Sequence, residues 1–81
     1  MSHDQRVAFT FDDPSFRTLE QMTKDGKYAS MGDCVRESLR INLTFQQQAA
    51  RGFTEVILRN PRTGNERVME IARLALIARL H

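Results

Sequence analysis

The 81-residue sequence predicts an α+β fold: a homodimer with an intermolecular antiparallel two-stranded ribbon, two helices per chain, a C-terminal β-hairpin and a short tail. Three observations lead there. In "RVAFTF", residues 6–11, apolar Val7, Phe9 and Phe11 alternate with Arg6, Ala8 and Thr10, the period of two expected of a half-buried strand. Two stretches of helical periodicity follow, with no second strand beside the first. Further on, "FTEVILRN" and "ERVMEI" flank "PRTG", a strand, turn, strand pattern. Residues 1–52 therefore read as the dimerisation core and residues 53–81 as a hairpin with a possible helical tail.

The elements follow in order. Asp13 before Pro14 reads as an N-cap, because its carboxylate can accept orphan amides and proline has no N–H to lose. The first helix then spans about Pro14 to Asp25, with Phe16, Leu19, Met22 and Thr23 on one face and Gly26 as a left-handed stop. Ser30 and Asp33 form a capping box for the second helix, whose stripe is Met31, Cys34, Val35, Ser38, Leu39, Asn42, Phe45 and Ala49. That helix runs to Ala50 or Arg51, with Gly52 as its cap and "QQQ" at 46–48 on its polar side. Pro61 and Gly64 suit the hairpin turn. In the tail, Ile71, Leu74, Ala75 and Ala78 have helical spacing without a preceding cap, so a helix and a loose end both remain open.

A strand needs a partner for its backbone groups, and Val7, Phe9 and Phe11 need a surface to cover. A second copy supplies both. Antiparallel pairing of two such strands turns Val7, Phe9 and Phe11, with Val35 and Leu39 of the second helix, into the dimer core, and leaves Arg6, Ala8 and Thr10 outside.

Composition narrows the chemistry. Hydrophobic residues at 41% and charged residues at 27% are ordinary for a folded domain. The lone Cys34 on an apolar stripe excludes an intrachain disulfide and reads as an inert buried thiol, and His3 and His81 at opposite ends give no zinc spacing. Asp12 and Asp13 lack a third ligand or an acid-base partner. No phosphate-binding glycine motif is present, so neither an enzyme nor a cofactor or metal is expected. No leader-like start and no membrane-spanning run is read in the sequence, which fits a cytoplasmic protein. The net charge of +2 is unevenly spread: residues 51–81 hold six arginines against three glutamates and no lysine. Arginine favours planar, bidentate partners such as phosphate and carboxylate.

"VAFTFDDPSFRTLEQM" and "GKYASMGDCVRESLRINL" together resemble the ribbon-helix-helix family of bacterial and phage repressors, over roughly residues 6–45. The resemblance implies a dimer that inserts its ribbon into the major groove of double-stranded DNA, as in an autorepressor. It makes Arg6, Ala8 and Thr10 the base readers. It also implies a phosphate site at the start of the second helix, from Ser30, Met31 and Gly32, with Lys27 beside it. Asp12, next in the outward series, brings an unfavourable negative charge near the DNA. Residues 53–81 lie outside the resemblance. In antitoxins that resemble the family, the segment after the second helix covers a toxin, so the alternative is an antitoxin or adaptor that binds a partner protein through Val56, Leu58, Arg62, Arg67, Leu74 and Ile77.

Overall fold

A computed structural model describes residues 4–81 of the chain. It contains three helices, α1 (Asp13–Asp25), α2 (Met31–Ala49) and α3 (Ala72–Leu80), and one antiparallel hairpin of β1 (Glu55–Arg59) and β2 (Glu66–Glu70). The chain is a small α+β protein. It divides into two compact units, Met1–Arg36 and Glu37–His81, with the division inside α2. His3 lies outside the described residues.

The expected N-terminal strand is not formed within the single chain. Residues 4–12 carry no strand, and the hairpin is the one sheet among the described residues. A strand exists only through its hydrogen-bonding partner, and none of the described residues supplies one to this segment.

In the first unit, helix boundaries follow local hydrogen bonding. Asp12, not Asp13, is the N-cap of α1: its Oδ1 accepts the Ser15 amide at 2.8 Å, and the Asp12 carbonyl accepts the Phe16 amide at 3.0 Å. In "DDP" both aspartates satisfy the composition of a cap. The outer one wins because its carboxylate reaches the third helical amide, leaving Asp13 as a negative charge in the first turn. Ser15 donates to Asp12 from both hydroxyl and amide and holds its carboxyl below the usual value. A depressed folded-state value means that the cap stabilises above the ordinary carboxylate pKa and fades as pH falls through the folded one. Acid titration of helicity should therefore show loss of α1 in that low-pH window, and Asp12→Asn should remove this component.

The stop of α1 is another correction. Gly26 has an ordinary helical φ of −80°, and the left-handed residue is Lys27, at φ 56°. Tyr28 N–H donates to the Thr23 carbonyl at 3.0 Å and Lys27 N–H to the Lys24 carbonyl at 3.1 Å, the paired bonds of a Schellman stop whose left-handed position is 27. Gly26 is needed for space instead: a Cβ there would lie 2.4 Å from the Tyr28 ring. The two neighbours thus respond oppositely to substitution. Lys27→Gly should stabilise the fold by about 1 kcal/mol by relieving the left-handed strain, whereas Gly26→Ala should destabilise it by displacing Tyr28. Chemical denaturation of the two variants checks both signs.

For α2 the Ser30 cap and the Gly52 stop hold as expected, while the Asp33 carboxylate pairs with Arg36 and the helix ends at Ala49, one or two residues before the expected Ala50 or Arg51. Ser30 Oγ accepts the Asp33 amide at 3.1 Å. At the other end, Phe53 N–H reaches the Gln48 carbonyl at 3.1 Å and Gly52 N–H the Ala49 carbonyl at 2.9 Å, with Gly52 left-handed at φ 98°. The hairpin register pairs Glu55 with Glu70, Val56 with Met69, Ile57 with Val68, Leu58 with Arg67 and Arg59 with Glu66. Its loop closes through Asn60, whose amide donates to the Asn65 carbonyl and whose carbonyl accepts the Gly64 amide, both at 2.8 Å, while Oδ1 accepts the Arg62 amide at 2.9 Å. Gly64 takes the left-handed conformation, at φ 79°. The tail is ordered as α3, which starts after Ile71 without a side-chain cap.

Burial is sparse. Among the described residues the buried hydrophobics are Cys34, Ala49 and Leu74, and fifteen large hydrophobic residues remain exposed. Helix α1 fully buries none of its residues: in its apolar stripe Phe16 and Met22 are exposed, and Leu19 and Thr23 are half-buried.

Candidate nucleic-acid interface

In the first unit, Arg6, Ala8 and Thr10 are exposed, as the resemblance requires of base readers. The Phe9 and Phe11 rings meet edge to face, with centroids 6.4 Å apart. Two residues two positions apart meet in this way when both stand on one side of an extended backbone. Val7, Phe9 and Phe11 are all exposed, Phe9 at 73%. Asp12, whose charge opposed a phosphate nearby, is turned to its own helix as the cap.

At the start of α2, Ser30 caps the helix, and Met31 and Gly32 supply first-turn amides that have no intrahelical partner by position. Lys27 is exposed in the turn just before them. One participant was not singled out in the sequence: the Arg36 guanidinium folds back over Gly32, 3.2 Å from where a Cβ would stand, and pairs with the Asp33 carboxylate. The four-residue spacing of glycine and arginine was the available signal, since it stacks the two positions on one helix face. The result is a helix N-terminus with a lysine, an arginine and one competing carboxylate. The ion pair is largely solvent-exposed and worth little to stability.

The expected dimer-core residues Val35 and Leu39 are exposed as well. Among the residues assigned to partner binding, Leu58, Arg62 and Arg67 are exposed, and Val56 and Ile77 are half-buried. Leu74 is a correction: it is buried at 2% exposure and fills the interior of the second unit, so it is closed to a partner. Its spacing on an amphipathic helix marked an apolar contact and left open whose contact it was.

Among the described residues no helix is long and apolar enough to cross a membrane, and no group of three or more His, Cys, Asp or Glu side chains is placed to hold a metal ion. Cys34 is buried. No family model, curated protein or solved structure matches the chain.

Proposed function

We propose that this protein is a sequence-specific DNA-binding regulator, an autorepressor, that works as a homodimer with residues 6–11 of two chains paired as an antiparallel ribbon. Arg6 makes bidentate contact with guanine, Thr10 hydrogen-bonds a base edge or touches a thymine methyl, and Ala8 offers apolar contact. Met31 and Gly32 amides, with Lys27, hold a backbone phosphate. The observation that carries the reading is the joined pair Phe9 and Phe11, exposed on one side of a segment whose backbone lacks a strand partner. A ribbon of two copies satisfies the backbone and covers the rings in one step, and it presents the alternate side chains to a groove of the right width.

The test is binding of the purified protein to the DNA upstream of its own gene, at several salt concentrations and against unrelated competitor. Selective binding that weakens steeply with salt is expected. Arg6→Ala should cost about 1–3 kcal/mol of base discrimination, and Lys27→Ala should weaken binding to all sequences alike and lower the salt slope by about 1. Binding that competitor removes entirely would overturn the proposal.

A second reading, an antitoxin or adaptor, has the exposed Leu58 and Met69 of the hairpin in its favour. It predicts that Leu58→Asp abolishes partner binding and leaves DNA selectivity intact.

A further inference from the structure

A two-stranded hairpin has two free edges, and here their sequences differ in one property that decides pairing. The Asn60 amide bonds to the Asn65 carbonyl, which makes 60 and 65 a hydrogen-bonded pair. By the alternation of an antiparallel ladder, Leu58 with Arg67 and Val56 with Met69 are hydrogen-bonded pairs too. Glu55, Ile57 and Arg59 therefore point their N–H and C=O groups outward along the free edge of β1, and Glu66, Val68 and Glu70 do so along the edge of β2. Among the described residues no further strand joins either edge.

Pairing either edge with its own copy about a two-fold axis is allowed by hydrogen bonding. About Ile57, Ile57 faces Ile57 of the second copy, and Glu55 and Arg59 each face the other's counterpart. "EVILR" is thus complementary to itself read backwards: two opposite-charge pairs flank an isoleucine pair on one face, and Val56 meets Leu58 on the other. About Val68, "ERVME" sets Glu66 against Glu70 twice, and like charges directly opposite destabilise a ladder. Within its own hairpin Glu55 already faces Glu70. An Arg59 guanidinium arriving from the other side gives this repelling pair a positive neighbour. The joined sheet also carries an unbroken row of Val68, Ile57 and their two counterparts, and these side chains are exposed in the single chain.

We propose that the outer edge of β1 is a self-association interface, taking β1 of a second copy antiparallel about a two-fold axis at Ile57 to form a four-stranded sheet. The occupant is a copy of this chain because charge and hydrogen-bond phase both match the strand to itself. This contact is separate from the one at residues 6–11 and does not depend on DNA binding.

The experiment is disulfide trapping in the full chain. Paired residues at the axis stand about 5.5 Å apart between Cα atoms, within disulfide reach. Ile57→Cys should form a covalent dimer under mild oxidation. Val68→Cys, on the same face but at the far edge, should not, because its counterpart then lies about three strand spacings away. Adding Glu55→Arg to Ile57→Cys should slow trapping by about tenfold, and adding Arg59→Glu as well should restore it. The same charge reversals without the cysteine, followed by sedimentation equilibrium, should weaken and then restore association. Trapping of Ile57→Cys no faster than Val68→Cys, or a double reversal that fails to restore, would overturn the interface. A protein that bound its operator selectively yet failed both tests would refute this interface and leave the DNA reading standing.

Discussion

Phe9→Asp should abolish the dimer built on residues 6–11 while leaving the chain folded. Phe9 is 73% exposed in the single chain, so an aspartate there costs the unpaired protein little. Under a ribbon the same carboxylate is buried without a partner, which typically costs about 3–5 kcal/mol per copy. Two copies give roughly 6 kcal/mol or more, on the order of a 10⁴-fold loss in association. Hydrogen exchange reads this at the right place: amides 7–11 should be protected in the wild type and exchange freely in the variant, and operator binding should go with them. Ala8→Asp is the matched control. It puts the same charge on the other side of the strand, so it should keep the protection and lose only the DNA. A Phe9→Asp chain that retains protected amides would show that the segment pairs by some other face.

Leu74→Ala should be the most damaging conservative truncation in the second unit. At 2% exposure, Leu74 shares that interior with Ala49 alone among the buried hydrophobics of residues 37–81. It lies at the floor of an open groove that Phe45, Phe53 and Val56 also line. Removing three carbons takes away the largest of the few buried apolar contacts in this unit, and about 2–5 kcal/mol is expected. Leu74→Met keeps the volume and should cost under about 1.5 kcal/mol. Thermal unfolding of both variants checks the ratio. Equal effects would mean that volume at this position is unimportant and that the helix is held by its other residues.

What could be read in the chain varied with the range of the interaction responsible. The hairpin and its turn were legible because β-branched runs and a Pro-to-Gly turn act over a few residues. The end of α2 was legible for the same reason, since Gly52 takes the left-handed position that a Schellman stop requires. The two misassigned caps of α1 were each one residue off: Asp12 instead of Asp13, and Lys27 instead of Gly26. In both pairs the composition allowed either choice. Geometry decided, through the reach of a carboxylate in one case and the place taken by the Tyr28 ring in the other. Arg36 over Gly32 escaped notice because an arginine's direction on a helix is set by its rotamer and by Asp33, not by spacing alone.

The sequence by itself determined the two central helices, the hairpin that follows them and the alternation that sets Arg6, Ala8 and Thr10 against Val7, Phe9 and Phe11. These follow from local propensity and period, which need no tertiary contact. Tertiary structure decided which apolar residues are used up within one chain. It buried Cys34 in the first unit and Ala49 and Leu74 in the second, and left the phenylalanines of residues 9 and 11 and the isoleucine of β1 open. Periodicity marks a face as apolar, and only packing in three dimensions shows whether the chain covers that face itself.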